Sequence, residues 1–349
     1  MSARLTIALD AMGGDNAPNV VVNGVTIARE RYPHAHYLLF GDESRLRPLL
    51  EHAPVARECC TIRHTEFAVS NDAKPSQVLR TGRQSSMWLA VDAVAKGEAA
   101  GVVSAGNTGA LMAVSKFVLR TLPGIDRPAI AGLFPSERGE TVMLDLGANV
   151  DCNANNLVEF AVMGEVFARA VLGLERPTIG LLNIGAEDLK GNEAVRTAAG
   201  ILRASKLPIR FHGFVEGNDI CAGTVDVVVT DGFTGNIALK TAEGTAKLYA
   251  TFLREAFGSS LISKLGYLLA KSALTKVKLR TDPRRYNGAM FLGLNGITVK
   301  SHGGTDALGF ANAIGVALDL VTHGFNERIK KEFDRLHSAE PPEPQAAIG

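Results

Sequence analysis

Five times in this chain a short apolar run stops at glycine plus asparagine or aspartate and gives way to a helical pattern. Leu5–Asp10 leads into AMGGDNAP (11–18), Gly101–Ser104 into AGNTGA (105–110) and Thr141–Leu146 into GANVD (147–151). Thr178–Ile184 leads into GAEDLKGN (185–192), and Val225–Asp231 into GFTGN (232–236). Runs such as Leu5–Leu9 are apolar at almost every position, as strands covered on both faces are. Strand, tight loop and helix in regular alternation define an α/β fold with a mostly parallel sheet. The five loops read as the rim of that sheet, where open α/β folds bind ligands. One such loop alone describes any βα turn; the repetition carries the argument. Gly13 and Gly14 allow positive φ and let a ligand approach the backbone amides.

Composition limits what such a fold could serve. The chain has 349 residues, of which 46% are hydrophobic and 21% charged, enough for one large domain or two closely joined ones. A formal net charge of +1 provides no global field for nucleic acid. No apolar run reaches the roughly 18 residues that span a bilayer. The opening MSARLTIALD has no export signal, so a cytoplasmic protein is expected. Cys59, Cys60, Cys152 and Cys221 have no metal-binding spacing and read as reduced thiols. Cys152 alone adjoins a candidate loop, either as a small buried hydrophobe or as a thiol nucleophile for an acyl group.

Along the chain, a helix follows Pro18, a strand is expected at Tyr37–Phe40 and an edge strand at Thr61–His64. Leu157–Leu174 is a long apolar helix suited to a core or a subunit interface, and 237–257 continues the GFTGN loop as another. A strand at Gly296–Lys300 precedes SHGGTDA (301–307) and a closing helix over 308–332. The expected organisation is one α/β unit over 1–335, divisible into lobes 1–110 with 296–335 and 111–295, and a Pro-rich disordered tail at 336–349. Lys74, Arg80 and Arg83 gather near a Pro-Ser turn, as a solvated helix face or as a dock for phosphate or an acidic partner.

One segment stands apart. From Arg254 to Arg285 there are eight basic residues against Glu255 and Asp282, so the segment carries +6 and the remainder −5. Leu261, Leu265, Leu268 and Leu269 interleave with Lys264 and Lys271. A basic helix with an apolar stripe suits an anionic membrane surface; it equally suits a helical arm packed on a partner subunit.

GxGxxG, GxxxxGK[ST], GxSxG and HExxH are all absent. The loops offer donors instead: amides at helix starts, Asn16, Asn107, Asn183, Asn192 and Asn236, and the cations Lys190, Lys240 and His302. Donors without a nucleophile–base pair suit anion binding and carbonyl polarisation. Attack of inorganic phosphate on an acyl thioester needs little more. The nucleophile is already ionised near neutral pH, and a thiol of pKa about 8.5 leaves readily. No metal or cofactor is required.

The strings DAMGGDNAP (10–18), KPS (74–76), SAGNTGALM (104–112), DLGANVDC (145–152) and LLNIGAEDLKGN (181–192) carry a resemblance, as do DVVVTDGFTGNIALKTAEG (226–244), YNGAMFLGLNG (286–296) and KSHGGTDA (300–307). Together, and in this order from about residue 4 to 332, they closely resemble the bacterial acyl-ACP:phosphate acyltransferases, the PlsX family. Ala186, where the family often has a second Glu, is the one departure. The resemblance implies a three-layer αβα sandwich similar to phosphotransacetylases and isocitrate/isopropylmalate-type dehydrogenases, with a protruding helical arm. It implies conversion of acyl carrier protein thioester and phosphate to acyl phosphate and free carrier for phospholipid synthesis. It also implies a homodimer peripheral to the membrane, feeding a glycerol-3-phosphate acyltransferase. Carried onto this sequence, Lys190 binds phosphate or polarises the carbonyl, and Asn236 hydrogen-bonds one of the two. Asn107 and Thr108 cradle phosphate, with Gly13, Gly14, Asn16 and Asn183 as further contacts. Asp10 and Asp231 organise loops at the substrate site, His302 donates a proton to the leaving thiolate or binds anion, and Phe233 walls the acyl channel. Rival readings are a phosphotransacetylase-like enzyme using short-chain acyl-CoA and a membrane-surface scaffold without enzymatic activity.

Overall fold

The computed structural model describes residues 5–205, 209–280, 282, 284 and 286–338. Its strands are β1 (Thr6–Asp10), β2 (His36–Gly41), β3 (Cys60–His64), β4 (Gly101–Ser104), β5 (Ala129–Ser136) and β6 (Gly139–Leu144). They continue with β7 (Thr178–Leu182), β8 (Arg210–Val215), β9 (Val227–Val229), β10 (Ala289–Leu292) and β11 (Ile297–Lys300). Among the described residues all eleven form one sheet in the order β3-β2-β1-β4-β11-β10-β5-β6-β9-β7-β8.

The sheet is mostly parallel but not of one sense. Parallel pairing joins β3 through β11 at one end and β6, β9, β7 and β8 at the other. Between them the pairs β11/β10, β10/β5 and β5/β6 are antiparallel. Three reversals leave the two parallel blocks running in opposite senses. The five loops therefore do not form a single rim, as their repetition suggested, but two groups.

Consecutive residues of a central strand feed different layers. Ile7 and Leu9 of β1 belong to one apolar cluster and Ala8 to the other, which is why both phases of the strand are apolar. The first layer holds α1 (Asn19–Arg31), α2 (Glu43–Glu51), α3 (Pro54–Cys59), α7 (Ala154–Val171), α8 (Glu193–Ala204), α12 (Ala307–Thr322) and α13 (Phe325–Ser338). The second holds α4 (Pro75–Thr81), α5 (Ser86–Ala95), α6 (Thr108–Leu119), α9 (Gly217–Ala222) and the start of α10 (Gly232–Gly258). The result is a three-layer αβα sandwich. Helix α7 is core: Phe160, Met163 and Phe167 are fully buried, each worth about 1.5–3 kcal/mol of apolar transfer.

This layering creates two switch points. β4 sends its chain to the second layer while its neighbours β1 and β11 send theirs to the first. β9 likewise leads into α10, while its neighbours β6 and β7 lead into α7 and α8. Loops that part to opposite faces leave a crevice beyond the carboxyl end of the strand between them.

Beyond its first turns α10 leaves the body and returns as α11 (Leu261–Arg280), the two meeting at Phe257 and Tyr267, whose ring centres are 5.5 Å apart. Helix α10 begins at Gly232, earlier than the 237 expected, because Asp231 caps it by accepting from Thr234 N at 2.8 Å. The closing helix is two, broken after α12 at Gly324, where φ is +59°. Residues 336–338, assigned above to the tail, complete α13; the tail from 339 to 349 lies outside the described residues.

Candidate active site

At the first crevice β1 ends in Asp10, which is 1% exposed. Its carboxylate accepts from Ser86 Oγ at the start of α5 and from Ser104 Oγ at the end of β4, both at 2.6 Å. These bonds tie helix and strand to β1. Burial pushes the Asp10 carboxyl up, while the two hydroxyls draw it partly back. A Cβ at Gly13 would stand 2.8 Å from Gly106 N and press on the Asp10 carboxylate, so glycine there answers crowding within the loops. Gly14 has φ +100°. Asp15 N donates to Gly303 O at 2.9 Å, Asn16 Nδ2 to Thr305 O at 3.2 Å and Asn71 Nδ2 to Asp15 at 2.8 Å.

Asn107 caps α6 by accepting from Ala110 N at 2.9 Å, and its amide donates to Asn71 O at 2.7 Å and Ala73 O at 3.2 Å. It holds a neighbouring loop, and Thr108 opens the helix it caps. His302 Nδ1 accepts from Gly304 N at 3.1 Å, and its backbone N–H donates to Asn287 Oδ1 at 2.8 Å.

Lys300, which the sequence reading passed over, closes this crevice from the end of β11. Its Nζ donates to Ala105 O at 3.2 Å and to Ser301 O. Burial lowers the ammonium to about 8, against the pull of Asp10 and Asp15. A lysine whose folded pKa lies below its unfolded one binds fewer protons when folded, so its contribution to stability rises with pH between about 8 and about 10.4. Chemical denaturation of the wild type and Lys300→Met across that window is expected to show the rise in the first and its loss in the second. Parallel pH curves would contradict it.

The second crevice is organised around Asp145, fully buried just beyond β6. Its carboxylate accepts from the backbone N–H groups of Ile130 (2.9 Å), Gly147 (3.3 Å), Ala148 (3.1 Å) and Asn149 (2.7 Å), and from Asn149 Nδ2 at 2.9 Å. Burial raises this carboxyl against the donors that hold it down. Gly232 N donates to Asn149 O at 2.7 Å, seating α10 on the same loop. A Cβ at Gly235 would collide with the Asp145 carbonyl oxygen; only glycine lets the helix come this close.

That seating fixes Asn236, one residue on, beside Gly147. Asp231 is the N-cap of α10, so Asn236, in its second turn, has no capping duty. Asn183, beyond β7, uses its amide on Gly185 O and Lys190 O, both at 3.1 Å. It holds the backbone of Lys190, whose own N–H donates to Glu187 O at 3.0 Å. Asn192 caps α8, accepting from Val195 N at 2.9 Å.

Among the described residues neither the Lys190 ammonium nor the Asn236 amide has a hydrogen-bond or ion-pair partner, and both are exposed. Most of the other asparagines singled out from the sequence are spent on loops. Lys240, another of the predicted cations, pairs with Glu243 at 3.6 Å. The same three loops, 147–152, 183–191 and 231–237, also expose apolar side chains: Leu189 (88%), Ile184 (81%), Val150 (62%), Phe233 (60%) and Ile237 (49%). Only Phe233 had been singled out. Cys152 also lies here, but burial pushes its thiol up to about 12, which leaves no thiolate near neutral pH.

The predicted residues thus fall into two sets. Asp10, Gly13, Gly14, Asn16, Asn107, Thr108 and His302 stand at the first crevice; Lys190, Asn236, Asn183, Asp231 and Phe233 stand at the second. β4 and β9 are five places apart in the sheet, about 24 Å at the usual strand spacing. A twist of about 20–25° per strand turns the two opposed blocks partly back toward one another. Among the described residues no hydrogen bond joins the two sets.

A doubly wound sheet with two switch-point crevices, one carrying free donors and exposed apolar side chains, defines an α/β protein of the class that binds ligands at its switch points. The same fold occurs in a phosphotransacetylase from Streptococcus pyogenes, with a TM-score of 0.62 at 17% identity over 93% of this chain and 95% of that one. The model of the family described as fatty acid synthesis protein matches residues 5–328, and the chain belongs to that family. It is 75% identical over its whole length to a phosphate acyltransferase of Paramagnetospirillum magneticum, covering 99% of that protein. It is 70% identical to one from Rhodospirillum centenum, over 97% of this chain and 96% of that protein. The chain is an enzyme, and its family transfers acyl groups with phosphate.

Proposed function

We propose that the enzyme converts acyl carrier protein thioester and inorganic phosphate to acyl phosphate and free carrier, at the second crevice. The carrying observation is the pairing there of two unengaged donors, Lys190 and Asn236, with a rim of exposed apolar side chains. Anion and oxyanion need the donors; an acyl chain needs the apolar wall. A phosphate oxygen attacks the thioester carbonyl carbon, the carbonyl oxygen takes up the charge, and the C–S bond breaks as it reforms. The thiolate leaves and takes its proton from water, which a pKa of about 8.5 permits. Lys190 offsets the repulsion between phosphate and developing oxyanion, and Asn236 donates to the oxyanion. Asp145, Asp231 and Asn183 hold these two in place. Cys152 is not a nucleophile in this scheme, and His302 stands with the other crevice.

The test is phosphate-dependent thiol release from long-chain acyl carrier protein against short-chain acyl-CoA. Release from the first supports the proposal; release only from the second favours the phosphotransacetylase-like alternative.

The acyl phosphate product suits a membrane-bound acceptor step in phospholipid synthesis, such as glycerol-3-phosphate acylation, and the α10–α11 hairpin suits delivery there. At 100° per residue, Leu261, Leu265, Leu268, Leu269 and Ile262 form one stripe about 120° wide along α11. Lys264, Lys271 and Lys278 run along its edge, seven residues apart. All five apolar side chains are exposed. No single helix among the described residues is long and apolar enough to cross a membrane; a helix of this kind lies on the surface. A homodimer that leaves this stripe outward is part of the proposal. Leu268→Glu is expected to lower co-sedimentation with anionic vesicles about tenfold, with solution turnover unchanged. The scaffold alternative requires the reverse.

A further inference from the structure

The cations Lys74, Arg80 and Arg83, together with two more on α6, remain outside both crevices. Lys74 precedes α4, Arg80 lies in it, Arg83 follows it, and Lys116 and Arg120 lie at the far end of α6. Helices α4 and α5 both pack on α6, and α4 meets its start where Gly109 lies against Pro75. All five cations are exposed, and none has an ion-pair partner among the described residues. No acid occurs from Ala73 to Val91 or from Ala99 to Ile125.

Two of the five are held ready. Arg83 stacks on Trp88 at 6.0 Å and Arg120 on Phe117 at 5.3 Å, while the two rings touch at 5.7 Å. Stacking holds a guanidinium flat with its donors free for carboxylates. Arg120 also adopts φ 63° and ψ 170°, a region left almost wholly to glycine. That backbone is held by its carbonyl, which accepts from Asn295 N at 3.0 Å, and it leaves the side chain in the open. The face borders the first crevice, where Ala73, next to Lys74, accepts from Asn107, and it belongs to the same helix layer as the start of α10 at the second.

We propose that the α4–α6 face, through Lys74, Arg80, Arg83, Lys116 and Arg120, docks an acidic surface of the protein that carries the acyl thioester. This rests on the carrier-protein reading above. A row of unpaired cations with one exposed aromatic, Phe117, matches spaced carboxylates on a folded partner. A lipid surface would want the exposed apolar stripe that α11 has and this face lacks.

The experiment compares wild type with Arg83→Glu/Lys116→Glu and with the conservative Arg83→Lys/Lys116→Arg. Each is assayed for phosphate-dependent thiol release from acyl carrier protein and from acyl-CoA or acyl-pantetheine, with vesicle co-sedimentation alongside. The charge reversal is expected to raise KM for acyl carrier protein about tenfold or more, less so at high salt. Its kcat, its rate with the small thioester and its melting temperature should match wild type, and the conservative pair should behave as wild type. An unchanged KM overturns the docking proposal, as does an equal loss with the small thioester. Loss of vesicle binding with KM unchanged would make this a membrane face instead. A wild-type enzyme that uses the small thioester but no carrier overturns the carrier reading itself, and this proposal with it.

Discussion

Lys190→Ala is expected to lower kcat/KM for phosphate-dependent thiol release by about 10²–10³-fold, the usual cost of removing one preorganised donor to a developing oxyanion. The fold should not notice. The Lys190 side chain is exposed and engages no partner among the described residues, while its loop is held by backbone and by Asn183. Stability should stay within about 0.5 kcal/mol of wild type. A kinetic loss with no thermodynamic loss separates a group that touches substrate from one that shapes a loop. If the ammonium binds phosphate in the ground state, KM for phosphate rises; if it acts only as the oxyanion forms, kcat falls alone. Initial rates over a phosphate series decide between these, and wild-type turnover would remove Lys190 from the reaction.

Asp145→Ala is expected to act in the opposite way, costing about 2–5 kcal/mol of stability through the buried donors it leaves unsatisfied. The change removes the acceptor of four backbone N–H groups, those of Ile130 and Asn149 buried, and leaves the Asn149 amide only its bond to Pro128 O; buried donors so abandoned are individually expensive. The loss should spread to function, because the loop that Asp145 holds also seats Gly232 and so aims Asn236. Asp145→Asn keeps the shape and part of the acceptor capacity, and should fall between. Urea unfolding followed by fluorescence measures both. A destabilisation under 1 kcal/mol for the alanine variant would mean that the loop has other support.

The two variants bracket how much the sequence disclosed. Strand-then-glycine loops located both crevices, because a strand buried on two faces must be apolar throughout and a close loop must use glycine. Lys190 and Asn236 were visible as loop donors. That they are free while Asn107 and Asn183 are spent was not, because hydrogen-bond partners such as Ala73 and Gly185 become neighbours only in the fold. Lys300 went unread for the same reason: one lysine at a strand end differs from any other only by what buries it. The apolar rim of Val150, Ile184, Leu189 and Ile237 looked like ordinary loop and helix sequence.

What the amino-acid order determined by itself was local: the α/β class, the glycines of tight approach and the charged, leucine-striped arm. Each depends on residues within one turn or one strand of each other. The senses of the strands were decided only by tertiary structure. β5, broken by Gly132 and Pro135, and β10, only four residues long, escape a reading by pattern, yet they supply the reversals that oppose the two parallel blocks. Strand direction is set by pairing across the whole chain, Ala131 with Met290 and with Leu144, and no local pattern encodes it.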